Sequence, residues 1–195
     1  MEESLDEYYW EERYMAGNTG WDIGYASDPI RSIIDAQRDR NMKILIPGAG
    51  NSWEAEYAIS KGFKNVFVLD FSKSAISNFK ERVPDMPEKH LILGDFFKHD
   101  GKYDLVLEQT FFCAINPQLR EKYAKHMYQL LKKGGSIQGV LFDALMNTES
   151  PPFGGKATEY FQLFSKYFDL ISIEPCLNSI PPRMGKEVIV RFMKN

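Results

Sequence analysis

Two glycines, two acids and a handful of aromatic residues carry the chemistry this sequence offers. Gly48 and Gly50 flank Ala49 directly after the apolar run Ile44-Leu45-Ile46. Glycine lets a backbone turn tightly and approach a ligand closely. Asp70 closes the next apolar run, Val66-Phe67-Val68-Leu69, 22 residues after Gly48. An acid at that place can accept hydrogen bonds from both hydroxyls of a ribose. Asp95 follows a third run, His90 to Leu93, where it can accept from an adenine amino group. Phe71 and Phe96, each beside one of the acids, are placed to pack on the adenine faces. Alone, Gly-x-Gly is an ordinary turn and a strand-end acid an ordinary cap. Their combination at these places points to a nucleoside cofactor.

The cofactor class follows from what is missing. A dinucleotide fingerprint wants a third glycine three residues after the second, where the helix packs close; Trp53 stands there. Gly155-Lys156 is followed by Ala157 and has no glycine five residues before it, so no Walker loop is formed. S-adenosylmethionine carries no phosphate and needs only the turn, the ribose acid and adenine contacts. Its sulfonium cation attracts aromatic rings. Trp10, Tyr14 and Trp21 supply such rings near the N-terminus, with Trp10 and Tyr14 on one helical face. The plainer reading of these three is a helix docked by its aromatic stripe.

The elements that must position these residues alternate along the chain. Residues 3–15 and the stretch from Asp28-Pro29 read as helices, and the first strand covers residues 43–46. Helix 53–61, strand 66–70, a helix begun by the N-cap Ser72 and running to Phe79, and strands 90–93 and 103–107 follow. Pro117 opens a helix with Leu119, Tyr123, Met127, Leu130 and Leu131 near a 3.6 period, which Gly134-Gly135 should break. Strand 137–142, a helix near 158–166 and strands near 168–174 and 187–193 complete the series. Continuous apolar strands separated by helices predict an α/β doubly wound, mostly parallel sheet of seven strands. The last two strands are joined through Pro181-Pro182 without a helix, so the last strand should run antiparallel.

Composition sets the outer bounds. A chain of 195 residues with 44% hydrophobic residues predicts one globular domain, 1–195, with residues 1–25 as a segment covering the cofactor. The longest apolar run is the five residues Phe111 to Ile115, far short of the roughly 20 a membrane helix needs. The six acids before Arg13 do not make a secretory signal, and two cysteines outside any CxxC pair suit a reducing cytoplasm. A net charge of −3 offers no footprint for nucleic acid. A small-molecule substrate and a monomer are the expectations.

These residues resemble the thiopurine S-methyltransferase family, including its plant-type halide and thiol methyltransferases, over about residues 10–192. Thr19-Gly20-Trp21-Asp22-Ile23-Gly24 is similar to the family's TPWDxG, and Ile46-Pro47-Gly48-Ala49-Gly50 resembles VPGCG. Leu69-Asp70-Phe71-Ser72 with Ala75-Ile76 resembles LDxSxxAI, and Gly94-Asp95-Phe96-Phe97 matches GDFF. Glu108 to Ile115, continuing through Arg120, is similar to the block after the fourth strand, and Pro152-Phe153-Gly154-Gly155 to the family's substrate loop. Departures are Gly20 for proline, Ala49 for the common cysteine, Ser52-Trp53 for glycine-aromatic and Tyr14 for a frequent tryptophan.

The resemblance implies a class I, Rossmann-like methyltransferase fold and S-adenosylmethionine as methyl donor, with S-adenosylhomocysteine as product. It places Trp10, Tyr14 and Trp21 over the cofactor, Gly48 on the turn, Asp70 at the ribose, the Asp95-Phe96 pair at adenine, and Gln109 after the fourth strand. The implied acceptor is a small soft nucleophile: a thiol, thiopurine, sulfide or halide. No residue is required as base when the acceptor is already an anion. Asp22, Glu108, Arg120 and Tyr123 are candidates for the acceptor side, each with an equally good structural role. Leu145, Met146, Phe153, Leu177 and Ile180 predict an apolar acceptor pocket. His90, His99, His126, Ser136 and Cys113 read as bystanders, and no metal site is expected. A nicotinamide-dependent oxidoreductase and a non-catalytic cofactor-binding protein on the same fold are the alternatives.

Overall fold

A computed structural model describes residues 5–195. The expected helical residues 3 and 4, with the acids Glu2 and Glu3, lie outside the described residues. Among the described residues seven strands form one sheet: β1 (Lys43–Pro47), β2 (Asn65–Asp70), β3 (Leu91–Leu93), β4 (Tyr103–Gln109), β5 (Leu131–Phe142), β6 (Leu170–Pro175) and β7 (Glu187–Met193). Their order is β3-β2-β1-β4-β5-β7-β6. The first five pair in parallel, and β7 runs antiparallel to both its neighbours.

The period-2 alternation of strand side chains explains why these strands are apolar throughout. Ile44 and Ile46 of β1, Val66 and Val68 of β2, and Leu105 and Leu107 of β4 face one side. There they meet Ile30, Ile33 and Ile34 of α2 (Asp28–Ala36), Ala55 and Ala58 of α3 (Trp53–Ser60) and Phe79 of α4 (Lys73–Arg82). Leu45, Leu69 and Val106 face the other side, under Tyr123 and Met127 of α5 (Arg120–Leu130) and Tyr160 and Phe164 of α6 (Ala157–Phe164). A sheet covered on both faces leaves one place for a ligand: the crevice at the carboxyl ends of the strands, where the winding reverses. The order puts that reversal between β1 and β4.

Several boundaries differ from expectation: the N-terminal helix begins at Glu7, so Leu5 and Asp6 are not helical, β5 begins at Leu131 rather than Ile137, α6 ends at Phe164 and β6 begins at Leu170. The helix from Arg120 ends at Leu130, before Gly134-Gly135, because Leu131 already pairs with Tyr103 in β5. Lys194 Nζ donates to the carbonyls of Tyr128 and Leu131, both at 2.9 Å, and so satisfies backbone at this helix end. Gly134, at φ +78°, lies within β5, in the stretch where the register against β4 shifts. Helix α4 runs to Arg82 rather than Phe79, starting from Ser72, whose Oγ accepts from the Ala75 amide at 3.0 Å.

The N-terminal helix α1 (Glu7–Met15) lies across the ligand end of the sheet and is tied to α4. Glu11 makes that tie. It accepts from Ser72 Oγ and Ser74 Oγ at 2.6 Å each and from the Ser74 amide at 3.1 Å. Among the described residues no helix is long and apolar enough to cross a membrane.

Candidate active site

The loops after β1, β2, β3 and β4 surround a cavity of about 980 Å³ at the carboxyl ends of the strands. After β1 the chain turns through Gly48 (φ +56°), Gly50 (φ +53°) and Ser52 (φ +54°) before α3 begins. Both glycines also lack room for a side chain. A Cβ on Gly48 would lie 2.0 Å from Phe111 Cδ2, and one on Gly50 would lie 2.3 Å from the Tyr14 hydroxyl. The turn is thus conformationally and sterically restricted to glycine at both places.

Asp70 holds this turn to the start of α4. Its Oδ2 accepts from the Gly50 amide and its Oδ1 from the Ser72 amide, each at 2.8 Å. Burial pushes its carboxyl above the usual range, and the amides of Ser72, Gly50 and Phe71 oppose that rise. A carboxylate has about four acceptor sites. Each oxygen therefore keeps capacity for a hydroxyl from the cavity, which Asp70 and Phe71 both line. The strand-end cap and the ribose acceptor are compatible roles for one residue.

Asp95 caps the 3-10 turn Phe96–Lys98, accepting from the Phe97 amide at 2.8 Å, and lines the cavity. Phe96 also borders the cavity, but its ring is buried among Phe97, Phe111, Tyr123 and His126. It is as much a core residue as a wall. Gln109 lines the cavity at the end of β4, where its Oε1 accepts from Ser27 Oγ at 3.0 Å.

Trp10, Tyr14 and Trp21 form one aromatic cluster bordering the cavity. Trp21 meets Trp10 and Tyr14 edge-on, at 5.5 and 5.8 Å between ring centroids, and donates from Nε1 to the Tyr14 hydroxyl at 3.3 Å. Burial, reinforced by Asp70, holds the Tyr14 phenol protonated well above its ordinary range. Asp22 anchors this segment to the start of α3. It accepts from Trp53 Nε1 at 2.8 Å, from Asn51 Nδ2, and from the Gly24 amide at 2.7 Å. Trp53, with Arg82 stacked 3.9 Å from its ring centre, stands where a dinucleotide site would have its third glycine.

The candidates for the acceptor side divide. Asp22 lines the cavity, whereas Glu108, Arg120 and Tyr123 do not. Glu108 accepts from the amides of Phe111 and Phe112, at 3.0 and 2.9 Å, and from the Tyr123 hydroxyl. Burial pushes its carboxyl up to about 7. Glu108 and Tyr123 thus shape the loop after β4 from behind. Arg120 donates to the Gly154 carbonyl at 2.8 Å and stacks over Phe112 at 4.7 Å, holding the 151–155 loop.

The predicted apolar wall is corrected in the same way. Of Leu145, Met146, Phe153, Leu177 and Ile180, only Met146 lines the cavity. Leu145 and Leu177 are 88% and 85% exposed, and Phe153 is buried, its amide donating to the Cys113 carbonyl at 2.7 Å. Pro151, Pro152 and Phe142 line that side instead, with Arg183 and Lys186 from the β6–β7 connection. His90, His99 and His126 lie outside the cavity lining. Cys113 borders the cavity but burial pushes its thiol up to about 12.

Among the lining residues that went unread in the sequence are Glu54, Phe111 as the partner of Gly48, and Arg183. An acid in the first turn of a helix reads as a complement to the helix dipole, which concealed Glu54. Arg183 donates to the Trp21 carbonyl at 2.8 Å, a contact across 162 positions that no local pattern signals.

The sequence model described as "Thiopurine S-methyltransferase (TPMT)" matches residues 5–193. A "Probable thiol methyltransferase 2" of Arabidopsis thaliana is 30% identical over 192 residues, covering 95% of this chain and 84% of the relative. A "Thiocyanate methyltransferase 1" of Brassica oleracea is 29% identical, covering 100% of this chain and 88% of the relative. Among solved structures, the 1,6-didemethyltoxoflavin-N1-methyltransferase of Burkholderia thailandensis, with bound S-adenosylhomocysteine, superposes with a TM-score of 0.75 at 16% identity. It covers 96% of this chain and 87% of that one, a likeness of fold.

Proposed function

The chain belongs to the thiopurine S-methyltransferase family, and we propose that it moves a methyl group from S-adenosylmethionine to a small soft nucleophile such as a thiol, a thiopurine, sulfide or a halide. The observation that carries this reading is the meeting of the Gly48–Gly50 turn, Asp70 and the Trp10–Tyr14–Trp21 cluster around one cavity. The residues fit the cofactor. The turn presents backbone without side chains, Asp70 keeps free acceptor capacity beside it, and aromatic faces suit a sulfonium cation.

When bound, S-adenosylmethionine supplies a methyl group already activated by the positive charge on its sulfur. The chain's task is then alignment in a site closed to water. In this reading Asp70 holds the ribose, Asp95, Phe71 and Phe96 take the adenine end, Gly48 and Gly50 admit the cofactor, and Gln109 faces the acceptor. Trp10, Tyr14 and Trp21, within the covering segment 1–25, exclude water above it. Pro151, Pro152, Met146 and Arg183 form the acceptor wall, so that wall is mixed rather than purely apolar. A hydrophobic wall with one cation suits a soft nucleophile that is anionic or becomes so.

The single domain acts as a monomer in the cytoplasm, on small molecules rather than nucleic acid or membranes. Its net charge of −3 and two unpaired cysteines support that placement. A nicotinamide cofactor has little support, because the Trp53 side chain fills the third glycine's place.

Calorimetric titration with S-adenosylhomocysteine, and with NAD in parallel, tests the reading. Micromolar binding of S-adenosylhomocysteine alone, followed by methylated product from iodide, sulfide or small thiols, is expected. Binding of NAD alone would replace the reading with an oxidoreductase.

A further inference from the structure

Among the described residues five acids line the cavity: Asp6, Asp22, Glu54, Asp70 and Asp95. Four are held by other residues. Asp6 accepts from the Tyr9 amide, Asp22 from Gly24, Asn51 and Trp53, Asp70 from Gly50 and Ser72, and Asp95 from Phe97. Among the described residues Glu54 alone of these five has no hydrogen-bond partner in another residue; its carboxylate accepts only from its own backbone amide. It sits in the first turn of α3, immediately behind the glycine turn. The charged and titratable groups that face it are Asp22 from the covering segment, Arg183 from the β6–β7 connection and Tyr14 from α1. Glu54 therefore stands where the cofactor turn, the aromatic cover and the acceptor wall converge.

We propose that Glu54 is the proton acceptor for those acceptors of this site that arrive with an S–H bond. The inference rests on the methyltransferase reading above. In the step, the S–H bond breaks and its proton moves to a carboxylate oxygen of Glu54. The sulfur lone pair makes the bond to the methyl carbon, and the methyl–sulfonium bond breaks with its electron pair kept by the cofactor's sulfur. Glu54 returns the proton to water once the methylated product leaves.

The electrostatics support the geometry. Burial pushes the Glu54 carboxyl up to about 7; its own amide and Arg183 oppose the rise and Asp22 adds to it. A base works best when its conjugate acid titrates near the working pH, and a free thiol titrates at about 8.5. Glu108 is also raised to about 7, but its oxygens are committed to Phe111, Phe112 and Tyr123 on the far side of the loop.

The test compares wild type with Glu54→Gln and Glu54→Asp, using mercaptoethanol and iodide as alternative acceptors. With mercaptoethanol, wild-type kcat/KM should rise through a midpoint at about 7. In Glu54→Gln that limb should move up to the thiol's own pKa, at or above about 8.5. The ratio of thiol to iodide turnover at pH 7 should fall at least ~10-fold, and Glu54→Asp should recover the lower limb. Independently of turnover, carbon-13 spectra of glutamate carboxyls should hold a resonance that titrates near 7 and is missing from Glu54→Gln. Should Glu54→Gln not fold, loss of that resonance in Glu54→Asp makes the assignment. An unchanged limb and ratio, or no such resonance, overturns the role of Glu54. Wild type that fails to bind S-adenosylhomocysteine overturns the methyltransferase reading instead.

Discussion

Gly50 and Tyr14 meet so closely that each limits the other. A methyl on Gly50 would sit 2.3 Å from the Tyr14 hydroxyl, but 3.5 Å from the ring carbon that bears it. Gly50→Ala therefore has two costs: left-handed backbone strain of about 1–2 kcal/mol and a clash with one oxygen. Tyr14→Phe removes that oxygen and leaves ordinary contact. The double variant should then be more stable than the sum of the single variants predicts, by about 0.5–3 kcal/mol in denaturant melts. Additive losses would mean that Tyr14 moves aside freely. A second substitution bears on the ligand. Asp70→Asn replaces one acceptor with a donor facing the Gly50 or Ser72 amide. Loss of a charge-assisted bond costs about 1.5–3 kcal/mol, so a drop in melting temperature and at least ~10-fold weaker S-adenosylhomocysteine binding are expected. At this scale the sequence disclosed the residues whose type is dictated by backbone position: Gly48, Gly50, Asp70 and Asp95. It did not disclose side-chain direction. Glu108 lies in β4 one residue from its end and Glu54 in the first turn of α3, yet the former faces away from the cavity and the latter lines it. Leu145 and Leu177 lie in irregular loops, where no period tells inward from outward.

Helix α1 is held less by its own apolar face than by one carboxylate. Tyr9 is its only buried residue, while Glu11 accepts three hydrogen bonds at the start of α4. Burial alone would raise the Glu11 carboxyl, but the bonds from Ser72 and Ser74 outweigh it and the net shift is downward. A carboxyl depressed in the folded state stabilises docking above its unfolded pKa of about 4.3, and that contribution is lost as pH falls through the lower folded value. Amide protection factors across residues 7–15 should therefore be steady at neutral pH and fall on acidification below about 4, ahead of the β-sheet amides. Glu11→Gln should show the low protection already at pH 6. Equal protection in the variant would mean that the aromatic cluster alone holds the helix. Should α1 close over a ligand, saturating S-adenosylhomocysteine should also slow tryptic cleavage at Arg13; an unchanged rate counts against a moving cover. The helix itself was legible from Trp10 and Tyr14 at a one-turn spacing. Its anchor was not, because Ser72 and Ser74 lie 61 and 63 positions away. The end of α5 was misplaced for a related reason: pairing of Leu131 with Tyr103 overrides the stop signal in Gly134-Gly135.

The whole molecule was the most legible level, because alternation of apolar strands with helices leaves few ways to cover both faces of a sheet. The one topological exception, an antiparallel β7, followed from a connection too short and too proline-rich for a helical crossover. That topology also makes the ligand a structural element. The cavity is walled by α1, the glycine turn, the loops after β2, β3 and β4, and the β6–β7 connection, so its lining spans Leu5 to Lys186. A molecule seated there bridges segments that otherwise touch through few contacts, such as Arg183 on Trp21. A ligand that binds only the folded chain stabilises it by about 2.7 kcal/mol at a hundredfold excess over its Kd. For a domain of this size each kcal/mol raises the melting temperature by about 2–4 °C. S-adenosylhomocysteine at that excess should therefore raise it by about 5–10 °C, whereas NAD at equal concentration should not. The stabilisation should depend on the bridging residues: Arg183→Ala, which frees the Trp21 carbonyl, should lower the gain from ligand more than it lowers the melting temperature of the free protein. If both fall together, the β6–β7 connection supports the fold and not the ligand.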